Sequence, residues 1–236
     1  MVPGPSSALA QTDPELVASC DAFSDEVVAR SELDGPTRLM VQLAAMIAAQ
    51  AVSQYRVTLG TALAVGVTPV QVKEIVYQAV PYVGMAKVLD FLHLTNDVLT
   101  EQGVELPLPG QATTTRQDRL AKGRAVQEQV VGVDGVASMY ANAPDDELPV
   151  QHWLSANCFG DHLTRTGLDL ATRELLTFAF LVSLGGCDPQ VKGHIRGNLN
   201  VGNDRGRLLD VLAQLLPFVG YPRTLNGLRA LDEVTR

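Results

Sequence analysis

The chain has 236 residues, 46% of them hydrophobic and only 5% aromatic, with a formal charge of −8 and a pI near 4.9. That length holds one large domain or two small ones, and a composition rich in Ala, Leu, Val and Gln favours helix over sheet. The acidic balance excludes a nucleic-acid backbone or an anionic membrane as partner, and no apolar run approaches the ~20 residues of a membrane span.

The start, MVPGPSSALAQTDPE, lacks a basic segment followed by an apolar stretch, so no secretory signal is expected. Cys20, Cys158 and Cys187 are widely spaced, which argues against a disulfide framework and for a cytoplasmic protein. Residues 1–12 are rich in Pro, Ser, Gly and Ala and predict a loose terminus. Asp13-Pro14 then supplies an N-cap and a proline at the first helical position. The helix is predicted to reach about Ser31, with Leu16, Cys20, Phe23 and Val27 on its core face.

Asp34-Gly35-Pro36 opens the next helix, and residues 37–51 are apolar nearly all round, the pattern of a helix buried on most sides. A further helix covers about Val52–Val65 and stops at Gly66. Thr68-Pro69-Val70-Gln71 has the capping-box pattern and starts a helix ending near Val80. PYVGM (81–85) is a break, and residues 86–101 form an amphipathic helix closed by Gly103. Two prolines, two glycines and a threonine run make residues 103–115 the linker.

The second half opens with a polar helix at about 116–131, then an irregular stretch over 133–149 with room for a short helix. VQHWLSANCFG (150–160) carries Trp153 and Cys158. Asp169 caps a helix over 170–184 that Gly185-Gly186 ends. Cys187 precedes Asp188-Pro189, the start of a helix reaching about Val201. Asn203 or Asp204 caps another as far as Leu216, PFVGY (217–221) breaks it, and a last helix covers about 222–234. No segment alternates with period two, so the predicted class is all-α.

The two halves repeat. PYVGMAKVLDFL (81–92) lies over PFVGYPRTLNGL (217–228) at an offset of 136 residues, which also places Gly66 on Gly202, Gln78 on Gln214 and Glu74 on Asp210. LDGPTR (33–38) pairs with LDLATR (168–173) at 135. These Gly, Gln and Pro-aromatic-Val-Gly positions are not periodic core positions, so chance likeness between amphipathic helices explains them poorly. Two similar helical units about a pseudo-two-fold are expected, over residues 13–102 and 116–236.

In the second unit the notable residues are Arg173-Glu174-Leu175-Leu176, Gly185-Gly186, His194, Gly202 and PFVGYP (217–222), preceded by FGDHLTRTGLDLATREL (159–175). With these residues the chain resembles the carboxymuconolactone decarboxylase family, which includes alkylhydroperoxidase D-type proteins. The resemblance covers about Leu33–Glu101 and Arg116 to the C-terminus. It implies an all-α fold, a homo-oligomer (a trimer or another ring), and one of two chemistries. Peroxidase-type members use a Cys-x-x-Cys pair beside a Glu and a His; decarboxylase-type members remove CO2 from a lactone acid without a cofactor. Here the two cysteine positions hold Cys187 and Gln190, so the resolving thiol is missing. The equivalents in the first copy are near Ala51, Gln54 and Thr58, and Glu174 falls on Arg38 or Leu39. The first copy is therefore expected to be structural, with the chemistry in the second.

His194 and Glu174 are the candidate acid-base pair, an imidazole being suited to proton transfer near neutrality. A buried Glu174 needs a partner, either His194 or Arg173. Cys187, just ahead of a helix, is a candidate nucleophile whose pKa free N–H groups would lower, with the Asp188 charge opposing. His162, Arg173 and Arg196 are candidate substrate-binding residues. No metal-ligand spacing, nucleotide loop or nucleophile elbow is present, so neither metal nor cofactor is expected. The leading expectation is a cofactor-independent decarboxylase of a small carboxylated lactone or oxo-acid. A one-cysteine peroxide reductase, and a non-catalytic or repurposed helical oligomer, are the alternatives.

Overall fold

The computed structural model describes residues 8–236, and among them there are helices and connections but no strand. The helices are α1 (Leu9–Thr12), α2 (Pro14–Ala29), α3 (Gly35–Ala49), α4 (Val52–Ala64), α5 (Pro69–Val83), α6 (Met85–Glu101), α7 (Arg119–Val131), α8 (Val133–Ala141) and α9 (Leu148–Trp153). A π-helical segment (Leu154–Leu163) follows, then α10 (Leu170–Leu184), α11 (Asp188–Asn200), α12 (Arg205–Val219) and α13 (Tyr221–Thr235). Local chemistry starts the long ones. Asp34, Asp169 and Asp204 each accept a hydrogen bond from the backbone N–H three residues on, and Thr68 and Gln71 form a complete capping box. None of the described helices is long and apolar enough to cross a membrane.

Two central helices, α3 and α10, pack on each other and are buried over most of their length. Each also packs against a helix of the other copy, α3 on α12 and α10 on α5. Polar contacts repeat this exchange. Gln214 in α12 meets Gln42 in α3 at 3.1 Å, and Gln78 in α5 donates to Thr177 in α10 at 3.1 Å. Gln42 and Thr177 correspond under the sequence repeat, as do Gln78 and Gln214, so these are one contact made twice about a pseudo-two-fold.

Several expectations need correction. Residues 8–12, predicted loose, hold the one-turn helix α1; residues 1–7 lie outside the described ones. Leu16 is exposed and Val17 is buried instead, because α2 meets the body chiefly along α12. Pro81 and Pro217 do not stop their helices. Each sits in the last turn, where it removes a single N–H, and Gly84 (φ 92°) and Gly220 (φ 78°) make the break. The short helix for which the irregular stretch 133–149 left room is α8, over residues 133–141. Residues 154–163 form an uncommon π-helix, with Thr164 N–H bonded to the carbonyl of Phe159 at 3.0 Å. That segment crosses α7 backbone to backbone: a Cβ on Gly123 would lie 1.9 Å from Ser155 O, and one on Gly160 would lie 2.3 Å from Arg119 O. The linker packs down as well, Thr113 Oγ1 donating to Thr164 O at 2.9 Å and Thr166 N–H to Gln111 O at 3.0 Å.

Candidate functional site

Because α10 is buried on all sides, its second turn carries Glu174 into the interior with no exposed surface. A carboxylate there needs a partner. Gly185 and Gly186, both at positive φ (72° and 71°), turn the chain so that α11 returns along α10. His194 on α11 then places Nδ1 2.8 Å from Glu174 Oε2. Arg173, the alternative partner, points elsewhere.

The pair is tightly held. Asn198, one turn beyond His194, donates through Nδ2 to Glu174 O (3.0 Å) and His194 O (2.7 Å), and its Oδ1 accepts from Asn203 Nδ2 (2.9 Å). A Cβ on Gly197 would lie 2.8 Å from Glu174 Oε2 and 2.7 Å from Val130 Cγ1, so only glycine lets α11 approach this closely. Glu174 Oε1 is buried without a hydrogen-bond partner among the described residues.

With Nδ1 committed to Glu174, the imidazole presents Nε2 to a cavity of about 760 Å³. Its walls are mostly apolar, from Val130 of α7, Leu154 and Cys158 of the π segment, Leu181 of α10, and Pro81 and Tyr82 of the first copy. Tyr82 meets the His194 ring edge-on at 5.8 Å and stacks on Phe180 at 6.0 Å. Burial pushes the Tyr82 phenol well above its ordinary value and the Cys158 thiol, 3.7 Å from the Tyr82 hydroxyl, up to about 12.

Cys187 lies on the same wall, at the N-cap of α11, donating to Leu181 O at 3.3 Å. The lowered pKa anticipated there is reversed. Burial, and then the Asp188 carboxylate, push the thiol up. Gln190 stands beside it in the cavity. Arg196 is exposed, lines the cavity, and has no ion-pair partner among the described residues, whereas Lys192 is paired with Glu233.

Of the residues singled out in the sequence, Cys187, His194 and Arg196 line this cavity and Glu174 is bonded to His194 without lining it, whereas Arg173 and His162 do not line it. Arg173 is wholly buried, bonded to Glu74 (2.9 Å), Gln78 (3.1 Å) and the carbonyls of Arg165 (2.9 Å) and Thr166 (3.0 Å). Adjacent helical residues point about 100° apart, so Arg173 and Glu174 serve different faces of α10. His162 belongs to the Arg173 side. Burial lowers its pKa, with Asp161 opposing, and its Nδ1 is buried without a partner. Tyr82, Gly197 and Asn198 escaped the sequence reading. For Asn198 the available signal was a polar residue with low helix propensity one turn past His194.

At the positions equivalent to Glu174, Cys187 and His194 the first copy has Leu39, Ala51 and Thr58, all on the corresponding helices or cap. Residues 14–97 and 149–233 both match the model of the carboxymuconolactone decarboxylase family. Over 118 residues the chain is 27% identical to 4-carboxymuconolactone decarboxylase of Acinetobacter baylyi, a match spanning 50% of this chain and 87% of that protein. The matched segments begin at α2 and α9, which leaves α7 and α8 between the two copies.

Proposed function

The chain belongs to the carboxymuconolactone decarboxylase family, and from that premise we propose that it is a cofactor-independent decarboxylase of a small carboxylated lactone or oxo-acid. The observation that carries this reading is the buried Glu174–His194 contact of 2.8 Å, which commits Nδ1 and leaves Nε2 for the cavity. A substrate carboxylate pairs with Arg196 at the cavity wall. The bond to a second carboxylate breaks, CO2 leaves, and the electron pair moves into the lactone carbonyl as an enolate. His194 Nε2–H delivers a proton to the resulting carbanion, while Glu174 accepts the Nδ1–H bond and stabilises the charged imidazole. Apolar walls strengthen both interactions by excluding water.

The test is CO2 release from 4-carboxymuconolactone by the purified chain. His194→Ala and Glu174→Gln should each lower kcat by ~10²–10⁴ with helical content unchanged; a folded, fully active His194→Ala protein would sink the mechanism. The thiol alternative has Cys187 on the cavity wall, but burial and Asp188 hold that thiol protonated, and Gln190 stands where a resolving thiol is needed. Peroxide turnover abolished by Cys187→Ser would revive it.

The assembly is proposed to be a homo-oligomer. Met85 and Leu89 on α6, and Tyr221 and Leu225 at the equivalent places on α13, are all exposed, a repeated apolar surface that a ring would cover. Sedimentation at the 25.3 kDa monomer mass would refute it.

A further inference from the structure

A second cavity, of about 300 Å³, shares no lining residue with the first. Helices α5 and α6 form its floor, and residues 106–111 of the connection between the copies lie over it. Inside stands Lys73, only 8% exposed. Its ammonium bonds to the neutral Asn96 Oδ1 at 2.6 Å and lies 5.2 Å from the Tyr77 ring centre, with no carboxylate paired to it among the described residues. Arg165 approaches the same ring at 5.1 Å while binding both oxygens of Glu74. Glu74 is shared again with Arg173. Two cations therefore share one carboxylate, and Lys73 lines the same cavity without one of its own, in a chain of charge −8.

Buried ammonium groups are ordinarily paired, because desolvation without a counter-ion is unfavourable. Here that cost shows as a Lys73 pKa lowered by burial. The fold does not require a lysine at this place. Under the repeat, Lys73 corresponds to Leu209 and Tyr77 to Ala213, so the second copy makes the same helix without either. Val70, Leu106, Pro107 and Pro109 supply an apolar wall opposite the cationic end.

We propose that this cavity binds a small organic carboxylate, its charged end on Lys73 and its apolar body between Tyr77 and the proline-rich segment 106–109. The first copy, which lacks the Glu–His pair, then has a binding role of its own, independent of the chemistry at His194.

Benzoate is the probe, titrated calorimetrically into the whole protein, with benzamide as the uncharged isostere and inorganic phosphate as the bare anion. One saturable benzoate site per chain is expected, retained in His194→Ala and weakened by about tenfold or more in Lys73→Met. Lys73→Gln serves if the methionine variant does not fold. Benzamide should not bind, and phosphate should bind more weakly than benzoate. The ligand-free lysine variant is expected to melt no lower than the parent, since it loses a buried cation that has no acidic partner. Benzoate affinity unchanged without Lys73, its loss in His194→Ala, phosphate binding as tight as benzoate, no saturable binding, or a lowered melting temperature of the ligand-free variant would each overturn the proposal. None of these outcomes depends on decarboxylase activity.

Discussion

Gly197→Ala isolates the fit that holds the acid-base pair. The added methyl would sit 2.8 Å from Glu174 Oε2 and 2.7 Å from Val130 Cγ1, and 3.5 Å from Val130 O. Neither close neighbour is a free, flexible end: one is a buried carboxylate on the central helix, the other a β-branched side chain of α7. In an open helix interior the exchange of glycine for alanine gains about 0.8–1 kcal/mol. Overpacking of this severity loses about 1–3 kcal/mol. The net expectation is a loss of up to about 2 kcal/mol, or as much as ~8 °C in Tm for a chain of this size. Displacement of Glu174 should also misplace His194 and lower kcat by ~10². Gly60, inside α4, has nothing within 4 Å of a built Cβ, so Gly60→Ala should raise Tm by ~2–4 °C. Calorimetry and CO2 release on the two variants give the comparison. If Gly197→Ala gains stability like Gly60→Ala and keeps full activity, the close approach of α11 to Glu174 does not hold the site.

Three further outcomes are expected. Glu74→Gln leaves the fully buried Arg173 without a counter-charge and should destabilise by ~3–5 kcal/mol, read from urea midpoints; a loss below about 1 kcal/mol would mean that water reaches the guanidinium. Arg196→Ala should raise KM roughly tenfold while kcat and stability hold, because the side chain is exposed and unpaired. A fall in kcat alone would place Arg196 in the chemical step rather than in binding. His162 has a folded pKa lowered by burial, so on acidification the unfolded chain takes up its proton first. Its contribution is therefore full above the ordinary histidine range and lost as pH falls through that range toward the folded value. His162→Gln should flatten the fall in stability between pH 7.5 and 5, and an unaltered slope would assign the effect to other groups.

Signals that act within a few residues were legible in the sequence. Asp34, Thr68, Asp169 and Asp204 were readable as caps because a cap bonds its own first turn. Pro81 and Pro217 misled for the same local reason: a proline reads as a stop, whereas glycines three residues on carry the positive φ. Glu174 and His194 were singled out through the family resemblance, and the repeat pointed to the second copy because both are missing from the first; whether His194 or Arg173 partners Glu174 was left open, since that depends on which face of α10 meets α11. Tyr82 was not, because it reaches His194 from the other copy, more than a hundred residues away in the chain. Nor was the π segment, whose crossing of α7 depends on Gly123 and Gly160 meeting in space. Arg173 was misplaced by its adjacency to Glu174, which on a helix implies divergence.

The exchange of helices across the pseudo-two-fold has a consequence for how such a molecule can change. In a pair of identical subunits every substitution occurs twice, so a residue that improves one wall of one site alters the matching wall of the other. Joined in one chain, the halves escape that coupling. Tyr82 can lean on His194 while its counterpart Phe218 packs against the core, and Lys73 can enter a cavity where its counterpart is Leu209. The shared core still binds the halves into one folding unit, so a cut in the connection between them should yield two fragments that need each other rather than two domains.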